Sequence, residues 1–136
     1  MTTKKNSAAK LDRTVWRASV AGYETANTWS SIWQICNTFI PFFVMWYLMY
    51  LSLDYGYWLT LLLSVPTGGL LVRIFIIQHD CGHGSFFKSN KANNIVGSIC
   101  GVLTYTPYYY WRKSHAIHHA HAGNLERRGV GDIYTM

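Results

Sequence analysis

SIWQICNTFIPFFVMWYLMYLSL, Ser31 to Leu53, and YGYWLTLLLSVPTGGLLV, Tyr55 to Val72, are the stretches that decide the architecture of this chain. No charged residue falls between Thr25 and Leu53, and a helix of about 20 such residues crosses a hydrocarbon core of about 30 Å. Pro41 lies inside the first run; in lipid a proline kinks a helix rather than ending it, because neighbouring helices satisfy the freed carbonyl. Asp54, Tyr55 and Gly56 form the only turn between the runs, which predicts a hairpin. The second run continues through Arg73 into IFIIQHD, with SVPTGG expected to bend it and Arg73 to snorkel toward water. A helix from Tyr55 to Asp80 would be roughly 39 Å long, longer than the bilayer core is thick. Its end, with His79, should project beyond the membrane.

The rest of the composition agrees. Of 136 residues, half are hydrophobic and 13% are charged, against about 25% in an ordinary soluble domain. The net charge of +6 is not that of a nucleic-acid reader, because Lys and Arg flank long uncharged stretches instead of forming a basic face. Cys36, Cys81 and Cys100 form no CxxC pair and argue against a disulfide framework. The first 24 residues are polar and charged where a secretory signal would need an early apolar segment. No repeat or low-complexity tract divides the chain, so one continuous unit is expected.

Five Lys or Arg precede the first run, none lies in the turn, and seven lie at or beyond the end of the second. The positive-inside rule then puts both flanks in the cytoplasm. The expected organisation is a cytoplasmic tail over 1–28, a first span over 29–53, a second over 55–78, and a cytoplasmic or interfacial region over 79–136. Ala92 to Trp111 is also uncharged but is studded with Asn, Ser, Thr, Gly and Pro and ends in Tyr108, Tyr109, Tyr110 and Trp111. One crossing there would put His79 and His115 on opposite sides, so it should lie in the interface or re-enter. Trp111, Arg112 and Lys113 are expected to anchor it. The fold class is all-α.

All six histidines fall in two clusters, HDCGH with His79 and His83, and HAIHHAH with His115, His118, His119 and His121. On a helix, positions i and i+4 share a face, so His79 pairs with His83 and His115 with His119, with His118 one turn from His115. Imidazole suits Zn, Cu, Fe or Ni. A lone histidine at a membrane edge is ordinarily a polar group with one hydrogen bond. Five in HxxxH and HxxHH spacing are another matter, because each buried ring brings a donor and an acceptor that must be satisfied. His121 falls outside that spacing. HDCGH superficially resembles the HExxH of zinc proteases, but such a site needs about three protein ligands, fewer than are clustered here. Bis-histidine haem would use two rings only. Asp80 is placed to fix a histidine tautomer.

HDCGHGSFF, followed by HAIHHAHAGNLERRGVGDIYT, resembles the membrane fatty acid desaturases, in particular the bacterial acyl-lipid type grouped with Δ12 (omega-6) enzymes. The resemblance implies a non-haem di-iron centre at the cytoplasmic face of a bacterial inner membrane, with His79, His83, His115, His118 and His119 among its ligands. It implies O₂ as co-substrate, a fatty acyl lipid or acyl-CoA as substrate, and a ferredoxin or cytochrome b5 type electron donor. Hydroxylases and carotenoid oxygenases share the histidine pattern, and a non-enzymatic metal- or haem-binding membrane protein is the alternative outside that superfamily. The family's third HxxHH cluster, beyond another hairpin, is not in this chain, so the 136 residues alone are expected to be inactive. Phe86 and Phe87 are expected in the core or interface, and Arg127 and Arg128 to be solvated or to meet an acidic donor.

Overall fold

The computed structural model describes residues 25–121 together with Val15. The expectations for the remainder of residues 1–24, and for Arg127 and Arg128, fall outside the described residues. Within them the chain is helical: α1 (Thr28–Ser52), α2 (Tyr57–His83), α3 (Asn90–Leu103) and α4 (Tyr108–His121) follow in order, with no strand among the described residues.

Helix α1 begins where Asn27 can cap it, its side-chain oxygen accepting from the N–H groups of Trp29 at 3.0 Å and Ser30 at 3.3 Å. It runs 25 residues, through Pro41, and α2 runs 27, through Pro66. At 1.5 Å per residue these are about 38 and 40 Å, so both are long enough to cross a bilayer core of about 30 Å. The contacts between them define an antiparallel hairpin. Ser52 Oγ meets Thr60 Oγ1 at 2.7 Å near the turn, Thr67 Oγ1 approaches Met49 Sδ at 3.4 Å, and Ser31 donates to the Phe86 carbonyl at the far end. Ser31, Thr38, Ser52 and Thr67 are buried between the helices, whereas Trp33, Phe43, Trp46, Leu62, Val65 and Val72 are exposed. That inversion suits a bilayer, where small and polar residues let helices approach and apolar side chains face lipid. Exposed Trp29 and Tyr50 stand 21 residues apart on α1, about 32 Å, which matches two interfacial belts across one bilayer.

Arg73 does not stand alone. Its Nη2 donates to Asn37 Oδ1 of α1 at 2.9 Å, an exposed contact that links the two helices of the hairpin.

Helix α2 passes position 78 and ends at Gly84, whose φ of +73° lies in the left-handed region that glycine enters freely. The Gly84 and Ser85 amides then close onto the carbonyls of Cys81 and Asp80 at 3.0 and 3.1 Å. Both histidines of the first cluster thus sit on the last turns of α2. Phe86 and Phe87 are buried, edge to face at 5.0 Å, and Asn93 grips Phe87 by accepting from its N–H at 2.8 Å and donating to its carbonyl at 2.9 Å.

The uncharged stretch after the first cluster divides in two. Helices α3 and α4 have 14 residues each, about 21 Å, too short to cross the core. They are broken at Thr104 to Pro107, and fully buried Gln78 holds that break against α2: Gln78 Oε1 accepts from Thr104 Oγ1 at 2.8 Å and Gln78 Nε2 donates to the Thr106 carbonyl at 3.4 Å. The chain therefore turns back, and α4 returns to the end of α2 where the first histidines lie.

Candidate metal centre

Each histidine pair is local. His79 and His83 sit one turn apart at the end of α2, and His115 and His119 one turn apart on α4. Folding brings the pairs together: one ring nitrogen from each of His79, His83, His115 and His119 lies within 4.8 Å of the other three. The Nε2 atoms form a chain of close approaches, 3.2 Å from His79 to His83, 3.2 Å from His83 to His115 and 3.0 Å from His115 to His119.

Protons alone serve this arrangement badly. Asp80 Oδ1 lies 3.1 Å from His79 Nδ1, and a carboxylate can only accept, so His79 carries its proton on Nδ1 and presents a bare Nε2. Satisfying the remaining contacts then requires N–H on His83 and His119, with the His83 N–H shared between two acceptors and the His115 lone pair accepting twice. A cation among the four nitrogens removes the conflict by taking every lone pair. Donors about 2.0–2.1 Å from a metal at tetrahedral corners are about 3.3 Å apart, close to the three successive Nε2 distances of 3.2, 3.2 and 3.0 Å. The all-imidazole donor set belongs to Zn, Cu, Fe or Ni. Burial, and then the neighbouring histidines His119, His79, His83 and His118, hold the His115 pKa below the usual imidazole range, which favours the neutral ring a metal needs.

His118 is not among the four. Its ring lies nearly parallel to that of His115 at 6.1 Å and faces a cleft of about 470 Å³ that Tyr105, Tyr110, Trp111 and Ser114 also line. His121 turns away, its Nδ1 at 3.0 Å from the Ile117 carbonyl.

Two residues that sequence reading passed over shape the site. Trp111, read as an interfacial anchor, stacks on His115 with ring centres 4.5 Å apart and planes at 16°. Tyr108, two turns before His115, is buried and donates its hydroxyl to the Cys81 carbonyl at 3.0 Å. Their positions at i−4 and i−7 from a candidate ligand are the only trace of these roles in the sequence.

Fold and site together define a class: an all-α protein of membrane type, whose hairpin carries at one end a four-imidazole group able to hold a metal ion. The fatty acid desaturase family model matches residues 55–133, a stretch that contains both histidine clusters, and the chain belongs to that family. It is 54% identical over 117 residues to a fatty acid desaturase of Bacillus subtilis (strain 168), an alignment covering 86% of this chain and 33% of that protein. It is 46% identical over 59 residues to the sn-1 acyl-lipid omega-3 desaturase (ferredoxin) of Synechocystis sp., covering 43% of this chain and 16% of the relative. Over the same length it is 48% identical to an endoplasmic reticulum omega-3 fatty acid desaturase of Nicotiana tabacum, with the same coverage. The chain thus spans about a third of the length of the Bacillus subtilis relative. No solved structure is significantly similar.

Proposed function

We propose that this chain forms the first hairpin and part of the metal centre of an oxygen-dependent membrane desaturase, which introduces a cis double bond into a fatty acyl chain. The observation that carries this reading is the convergence of His79, His83, His115 and His119 at the end of a bilayer-length hairpin, in a chain of this family. In this reading these four, with His118, hold non-haem iron. When bound, a di-iron centre supplies the power to oxidise an unactivated methylene with O₂, which no side chain can do. The net change is loss of two hydrogens from adjacent methylenes, with O₂, two further electrons and two protons going to two waters.

The chain's own residues orient and place. Asp80 holds His79 in the tautomer that presents Nε2. Trp58 at the start of α2 is exposed and stands 21 residues, about 32 Å, from His79, so an interfacial Trp58 sets the histidines at the opposite membrane face. Tyr105 lines both an apolar groove of about 430 Å³, with Phe42, Trp46, Leu71 and Leu103, and the cleft beside His115 and His118. An apolar groove so placed suits an acyl chain entering from lipid. The charge distribution favours a cytoplasmic site, as in a bacterial inner membrane, and the ferredoxin named for the Synechocystis relative favours a small redox protein, ferredoxin or cytochrome b5 type, as donor. The acyl carrier is a membrane lipid or coenzyme A.

The test is expression of the protein containing this chain in a host without desaturases, supplied with isotopically labelled saturated fatty acid, with total fatty acids read by mass spectrometry. Labelled unsaturated product that requires air and disappears in His83→Ala is expected. Hydroxylated product in its place would transfer the reading to a hydroxylase, and absence of any oxidised product with iron and donor supplied would refute it.

A further inference from the structure

The two histidine pairs lie on helices joined only through α3, so their spacing depends on how α4 seats against α2. Cys81, between His79 and His83, offers one of the last carbonyls of α2, which have no partner within the helix. One approach to it is the Gly84 N–H at 3.0 Å, and the other is the Tyr108 hydroxyl at 3.0 Å. The Tyr108 ring lies on α3 where only glycine fits: a Cβ at Gly97 would stand 2.3 Å from Tyr108 Cε2. Tyr108 precedes His115 by seven residues, two helical turns, and so lies on the same face of α4. Asn94 Oδ1, from α3, accepts from Arg112 Nη1 at 3.0 Å and lies 3.4 Å from the Tyr108 hydroxyl, so α3 holds the same turn of α4.

A second contact lies one turn on. Trp111 stacks on His115 and presses against α2 at Gly82, where a Cβ would stand 2.8 Å from Trp111 Cζ3. Its other ring neighbours on α2 are Phe75, edge to face at 5.5 Å, and His79, at 5.8 Å. The glycine of HDCGH is thus the space through which α4 reaches the first cluster.

We propose that Tyr108 is a positioning residue of the histidine group: its hydroxyl on the Cys81 carbonyl, with its ring seated on Gly97, sets the distance between the His79–His83 and His115–His119 pairs. The inference rests on the metal-centre reading. Removing the hydroxyl leaves the ring packed but frees α4 to pivot, and the Nε2 atoms, now 3.0–3.2 Å apart in sequence along the chain of contacts, lose their common focus.

The test is Co(II) titration of the purified protein in lipid nanodiscs, read by visible absorption, whose bands report ligand geometry. Tyr108→Phe is expected to keep its helix content by circular dichroism, to lose about 10–100-fold in Co(II) affinity, and to change the band pattern. Gly82→Ala, which displaces Trp111 while leaving Tyr108 intact, is expected to weaken binding in the same direction. Tyr109→Phe, removing an exposed hydroxyl, should match the parent. Parent affinity and spectrum in Tyr108→Phe would overturn the assignment, and so would loss of helix in that variant, which would make Tyr108 a folding residue. A parent that binds no Co(II) would sink the metal centre itself, and the inference with it.

Discussion

Asn93→Ala should be among the most damaging substitutions outside the histidines. Asn93 is 1% exposed and satisfies both backbone groups of buried Phe87, at 2.8 and 2.9 Å. Alanine leaves that N–H and that carbonyl without their partner in the interior, at about 1–3 kcal/mol each, so about 2–6 kcal/mol together. A whole domain is stable by only about 5–15 kcal/mol. The loop in question follows His83 directly and sets where α3 begins. Asn93→Asp separates shape from hydrogen bonding: it keeps an acceptor for the Phe87 N–H but turns a carboxylate oxygen toward the Phe87 carbonyl, so at neutral pH it should be no better than alanine. The assay is unfolding in mixed micelles of mild detergent and SDS, followed by helix content. A loss below about 0.5 kcal/mol, the scale of a neutral surface change, would refute the reasoning.

Gly84→Ala forces a side chain into φ +73° at the end of α2, costing about 1–2 kcal/mol in the same unfolding assay. Gln78→Ala removes the buried amide that holds the α3–α4 break; a loss of about 1–3 kcal/mol is expected, with parent-like stability counting against that role. For metal content, His79→Ala, His83→Ala, His115→Ala or His119→Ala should each deplete bound iron in elemental analysis, whereas His121→Ala should leave it unchanged. Chelation of the metal should leave the α1–α2 hairpin helical by circular dichroism, because its interface uses Ser52, Thr60, Thr67 and Met49 and no histidine.

Much of the fold was legible in the sequence because its signals are local. Length without charge marked the two long helices, and a bilayer imposes that length directly. The HxxxH and HxxHH spacings put histidines on one helix face by geometry alone. The same locality explains Asp80, one residue from the ring it orients. The polar content of Ala92 to Trp111 likewise told against a third crossing, and the structure breaks that stretch at Thr104 to Pro107, between two helices of 14 residues each.

Convergence of the two clusters was another matter, since it depends on residues distant in sequence. Gln78 closes the break 26 and 28 residues away, Tyr108 reaches Cys81 across 27, and Arg73 meets Asn37 across 36. Nothing in the pattern around any of these names its partner. Nor could spacing choose between His118 and His119, which flank His115 at i+3 and i+4; α2 packs on one side only, and that side joins His119 to the group and sets His118 beside the cleft. The sequence by itself determined the two long apolar helices and nominated the histidines as candidate metal ligands, because helical period and bilayer thickness act within one segment. Only the tertiary structure decided which rings meet, because that turns on small residues such as Gly82 and Gly97 admitting an aromatic ring from another helix.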